Sequence, residues 1–185
     1  LDDQWYLRLL GRKAYAQGYA VVLFDWRAHG KTAELSPTLT SDGLYEGEDF
    51  VRISAAAKAM GCPAKFWFTG YSLGGQLALW AVKAAVELTR EDENLGLEDS
   101  DIGGAAVICP SLDSARSLSF LVKHPVGKYF ERAIARQLKK LAWQIHDAHP
   151  GTIDPQAIER ANSIWGFDEE LVIQRLGFPT VEAYY

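Results

Sequence analysis

Cysteine is scarce in this 185-residue chain. So are histidine clusters, long apolar runs and bands of basic charge. Its two cysteines, Cys62 and Cys109, belong to no C-x-x-C pair or Cys/His group, which excludes a disulfide scaffold and a structural zinc site. Both are expected to be reduced and structural. His29, His124, His146 and His149 form no H-E-x-x-H array, so no metal and no cofactor is expected. The longest apolar runs, Tyr19 to Phe24 and Ala105 to Cys109, fall far short of the ~20 residues that cross a bilayer. No membrane span is expected, and no signal peptide is visible at the amino end. A cytoplasmic setting follows from these readings. Net charge is −5 and the pI about 5.4, with Lys and Arg scattered rather than banded, which argues against a nucleic-acid partner.

Hydrophobic residues make up 48% and charged ones 23%, values of an ordinary globular chain long enough for one real core. Helix and strand signals alternate. A helix is expected over Asp3 to Gln17, stopped by Gly18, then a strand over Tyr19 to Asp25 and a long loop from Trp26 to Gly43. Phe50, Ile53, Ala57 and Met60 mark a second helix, Lys65 to Thr69 a strand, Gln76 to Leu88 a helix, and Gly104 to Cys109 a third strand. That order predicts an α/β fold with a parallel sheet. From Ser111 on there is no strand signal. Tyr129 to Trp143 reads as an amphipathic helix, and Asp154-Pro155 and Asp168-Glu169 as starts of two shorter ones. The predicted organisation is a core over 1–110 and a helical cap over 111–185.

Between the Lys65 to Thr69 strand and its helix stands Gly70-Tyr71-Ser72-Leu73-Gly74, the sequence form of a nucleophile elbow. Such a turn lifts a serine off the end of a strand, and close backbone approach demands glycine on either side. Ser72 is the candidate nucleophile, Gly70 and Gly74 the structural glycines, and the Leu73 backbone N–H one donor of an oxyanion hole. A phosphate-binding reading fails, because Gly70 to Gly75 lacks the lysine and hydroxyl of a P-loop.

With this elbow, and with Asp25-Trp26-Arg27-Ala28-His29-Gly30 in the place of a D-x-R-x-H-G loop, the chain resembles the α/β-hydrolase superfamily of esterases and lipases. The end of the chain, from Ser163-Ile164-Trp165-Gly166-Phe167 through Gly177-Phe178 to Tyr184-Tyr185, is similar to the YheT-like esterase branch. The resemblance implies an α/β-hydrolase-like parallel sheet core with a C-terminal helical cap, here a partial fold lacking the first and last strands. It also implies a serine hydrolase acting on carboxylic esters with an apolar acyl part, through an acyl-enzyme on Ser72. In that family the acid and the histidine follow the serine on later strands. They are expected beyond residue 185, which with the initial Leu1 suggests an internal fragment, inactive alone. A local triad of Asp113 with His124, His146 or His149 has the right order but no strand end to deliver the histidine. His29 reads as a loop-stabilising residue. The alternative function is a non-catalytic binding or interaction module on a truncated hydrolase fold.

Overall fold

The computed structural model describes residues 4–185. Its contacts form two compact units, one running up to residue 26 and again over 41–111, the other over 27–40 and 112–185. Residues 27–40 thus group with the second unit.

The first unit is built around a parallel pair of strands, β1 (Phe66–Tyr71) and β2 (Ile102–Ile108), with Phe68 opposite Ala105 and Tyr71 opposite Ile108. Parallel neighbours need a crossover. It is α4 (Leu73–Glu91), whose Leu77, Ala78, Ala81 and Ala85 recur at helical spacing and are all buried. Helix α3 (Glu46–Ala59) packs beside it through Phe50 and Val51. Phe50 meets Phe24 and Phe68 edge-on, at centroid distances of 4.8 and 5.6 Å, the geometry aromatic quadrupoles prefer. Helix α1 (Trp5–Ala16) precedes them; Asp3, where the sequence reading starts that helix, lies outside the described residues.

Tyr19 to Asp25 is no strand: it joins no ladder among the described residues, and Tyr19, Val21, Val22 and Leu23 are exposed. An apolar run supplies the faces of a strand, but a strand exists only where another backbone answers its N–H and C=O groups. Phe24 and Trp26 still pack against the first core.

The second unit is helical. It contains α2 (Lys31–Leu35), α5 (Ser114–Lys123), α6 (Pro125–Ala148), α7 (Pro155–Arg160), α8 (Ile164–Phe167), a π-helical turn (Asp168–Val172), α9 (Ile173–Leu176) and α10 (Val181–Tyr184). Ala28, Ala33 and Leu39 share its core with Leu141, Ile145, Ile158, Phe167 and Val172. Asp154 caps α7 as its sequence suggested, its carboxylate accepting from the Gln156 N–H at 2.9 Å. Asp168 caps no helix start: it opens the π-helical turn inside a helical run already under way. Ser163 caps that run instead, and buried Asp168 accepts a hydrogen bond from the Tyr185 hydroxyl.

The basic residues are also less scattered than they look. Lys128, Arg132, Arg136 and Lys140 are four apart, and that spacing gathers them into one row on α6. Among the described residues no helix is long and apolar enough to cross a membrane.

Candidate active site

Strand β1 ends at Tyr71 and α4 begins at Leu73, so the whole strand-to-helix turn is one residue, Ser72. Its φ is 51° and its ψ −123°, a backbone conformation that costs a non-glycine residue on the order of 1–3 kcal/mol. Three features hold it there. The Ser72 N–H donates to the Ile108 carbonyl at 2.9 Å, tying the turn to the end of β2. The Ser72 carbonyl accepts from the Gly75 and Gln76 N–H groups at 2.9 and 3.2 Å, which starts α4.

The third is close packing. A Cβ on Gly70 would land on the Gly74 carbonyl group, and one on Gly74 would lie 3.2 Å from the Trp26 ring. Gly74 and Gly75 are buried while Ser72 between strand and helix is exposed, so the turn presents its side chain at the carboxyl edge of the sheet. That edge is where open α/β sheets bind ligands. The Leu73 N–H is at the first helical position, where no intrahelical acceptor exists, and the positive end of a 19-residue helix lies behind it. A donor so placed is suited to a developing oxyanion.

A second set of residues anchors the first turn of α4, and sequence reasoning did not single it out. Glu46 is fully buried at the start of α3. Its carboxyl oxygens accept from the Ser41 N–H at 2.8 Å, the Gly43 N–H at 3.0 Å and the Ser41 hydroxyl. The loop so held turns the Asp42 carbonyl to the Gln76 Nε2, which donates to it at 2.8 Å. Gly47 packs on the backbone of Trp80 in the next turn of α4. Ser41 and Glu46 stand five apart and not at the three-residue spacing of a capping box, so no local motif announced the arrangement.

Other candidates take local roles. Asp113 accepts from the Arg116 N–H at 2.8 Å and caps α5. His146 Nδ1 is 3.1 Å from the Ile153 carbonyl, and His124 stacks on Phe120. His29 Nδ1 is 2.8 Å from the Arg27 carbonyl, beside Ala28 with its φ of 62°. Cys109, read as structural, is exposed. It follows Ile108, the partner of Tyr71, and therefore stands next to Ser72 along the sheet edge. No group of three His, Cys, Asp or Glu suited to a metal ion occurs among the described residues.

The sequence pattern of the alpha/beta hydrolase family matches residues 2–181, and the chain belongs to that family. It is 64% identical, over 189 aligned residues, to a Synechocystis sp. protein named "Putative esterase slr0264". The alignment takes in 100% of this chain and 51% of that relative, so the chain spans about half the relative's length. No solved structure matches the chain.

Proposed function

We propose, with that membership as the premise, that the full-length protein is a serine hydrolase acting on carboxylic esters through an acyl-enzyme on Ser72. The observation that carries this reading is the one-residue turn that exposes Ser72 at positive φ between β1 and α4. A turn strained this way is retained where it serves a reaction. The esterase name of the Synechocystis relative supports the same class.

In this mechanism Ser72 Oγ attacks the ester carbonyl carbon while a histidine base takes its proton. Negative charge gathers on the carbonyl oxygen, facing the Leu73 N–H. The C–O bond to the alcohol then breaks, the histidine returning the proton to the leaving oxygen. Water repeats the sequence on the acyl-enzyme and frees the acid. The histidine and its orienting acid are assigned to chain beyond residue 185, in keeping with the serine, acid, histidine order of such enzymes. Gly70 and Gly74 are assigned to holding the elbow, residues 1–110 to the hydrolase core and 111–185 to a helical cap. The substrate is a small ester with an apolar acyl part. Two free cysteines support a cytoplasmic setting.

The test is hydrolysis of p-nitrophenyl esters by the full-length protein, with labelling by a fluorophosphonate. Ser72→Ala is expected to lower turnover by ~10⁴-fold or more and abolish labelling. Hydrolysis unchanged in the Ala variant would sink the assignment. A wild-type protein that neither turns over esters nor labels would favour a non-catalytic module.

A further inference from the structure

Helix α6 changes character around its circumference. Gly127, Glu131, Ala135 and Ala142 form its buried side. Next to them runs the exposed row Lys128, Arg132, Arg136 and Lys140. The remaining side carries Val126, Tyr129, Phe130 and Ile134, spaced three, four and eight residues from the first, which is one stripe of a helix. These four side chains are 57, 68, 55 and 45% exposed. At the end of α5, Phe120 is 70% exposed.

The charge on this segment is as one-sided as its hydrophobicity. Ser114 to Lys140 holds seven Lys or Arg against one acid, in a chain whose net charge is −5. That acid, Glu131, is buried and accepts from the Ile164 N–H at 2.8 Å. Lys139 is paired with Glu159, while Lys128, Arg132, Arg136 and Lys140 form no ion pair with any described residue. An apolar stripe this exposed marks an interaction surface. Unpaired cations along its border call for a negatively charged partner. A nucleic acid would answer the cations but leave Val126 and Ile134 in water. A bilayer of anionic lipid answers both, taking the stripe at the acyl boundary and the cations among its headgroups.

We propose that α6, with the end of α5, docks the protein on the surface of an anionic lipid bilayer. Val126, Tyr129, Phe130 and Ile134 enter the interface, and Lys128, Arg132 and Arg136 meet the lipid phosphates. The proposal is independent of the role of Ser72.

The test is co-sedimentation of the full-length protein with phosphatidylcholine vesicles, with and without phosphatidylglycerol. Binding is expected only with the anionic lipid and is expected to fall as salt rises. Each basic residue removed should weaken partitioning about fivefold, so Lys128→Ala/Arg132→Ala/Arg136→Ala together should lose on the order of 100-fold. Tyr129→Ser/Phe130→Ser should lose about tenfold or more, with circular dichroism and urea unfolding unchanged because both side chains already face water. A Phe130→Cys variant should react with a maleimide in solution and be protected by anionic vesicles. Equal binding to neutral vesicles overturns the proposal. So does a Phe130→Cys thiol that is unreactive without lipid, which makes the face an internal contact of the full-length chain. A third overturning result is loss on removing the cations but none on removing the aromatics, with duplex DNA competing, which makes it a general polyanion surface.

Discussion

Replacing Gly70 by alanine adds one methyl group at the point where β1 passes closest to the start of α4. The new Cβ would come closer to the Gly74 carbonyl carbon and oxygen than real Cβ atoms approach anything, and would lie 2.7 Å from the Gly75 nitrogen. All three are backbone atoms, so no rotamer change can make room. Ordinary contact begins near 3.4 Å, and reaching it requires the helix start to retreat by more than an ångström. It is held against that movement by the Ser72 to Ile108 hydrogen bond and by Gln76 on the Asp42 carbonyl. Overpacking a core typically costs about 1–3 kcal/mol, and a clash with fixed backbone belongs at or above the top of that range. With a urea dependence of about 1–3 kcal/mol per molar, the unfolding midpoint should fall by about 1 M or more. Two controls separate sterics from backbone strain. Gly75→Ala meets atoms at 3.2–3.3 Å and should cost about 1 kcal/mol. Gly61→Ala meets nothing within 4 Å but has a φ of +94°, and should cost about 1–2 kcal/mol from strain alone. Fluorophosphonate labelling of Ser72 should collapse in Gly70→Ala and survive in Gly61→Ala. A Gly70→Ala protein with a wild-type midpoint, or one as stable as Gly75→Ala, refutes the packing argument.

Ser72→Gly removes the strain of φ 51° along with the hydroxyl, and should be about 1 kcal/mol more stable than Ser72→Ala while equally unreactive; equal midpoints would show that the turn is unstrained. Glu46→Ala strands two buried loop N–H groups and the Ser41 hydroxyl, at a cost of about 3 kcal/mol or more by urea unfolding, whereas a loss under 1 kcal/mol would mean that the loop is held by other contacts. Asp101 is held below the usual carboxylate range by the Lys58 ammonium, which donates to it at 2.7 Å, and by the Glu98 N–H. A depressed acid stabilises the fold above its unfolded value of about 3.9, and that contribution is lost as pH falls through the folded value. Lys58→Met should therefore lower the midpoint at pH 7, the gap narrowing as pH falls below about 4 and closing only once the lowered folded value is passed; a gap independent of pH contradicts the pairing.

The elbow was legible because everything it needs is local: a strand signal, Gly70-Tyr71-Ser72-Leu73-Gly74 and a helical stripe, consecutive in the chain. The Tyr19 to Asp25 strand failed for the opposite reason, since a ladder depends on a distant backbone that no run of Val and Leu can specify. Helix α5 was missed because Asp113, its cap, was weighed only as a catalytic acid. Helix α6 begins four residues before the expected Tyr129, at Pro125, whose fixed φ and absent N–H suit a first helical position and could have been read as a start. The anchoring of Gln76 through Glu46 is a tertiary arrangement between residues 34 apart, Gln76 and Asp42, and no local spacing encodes it.

The crossing of residues 27–40 into the second unit bears on how the chain is made. Ala28, Ala33 and Leu39 belong to a core whose other members, beginning with Leu141, are synthesised only after the whole of 41–111 has emerged. At about 5–20 residues per second the ~100 residues from Leu39 to Leu141 take between about 5 and about 20 s. Throughout that time the early segment has no apolar partners of its own unit, while the first unit gains its β-α-β core. A nascent chain stalled after residue 111 thus exposes Ala28, Ala33 and Leu39 without the core they later join, the kind of transiently exposed apolar surface that chaperones on translating ribosomes engage.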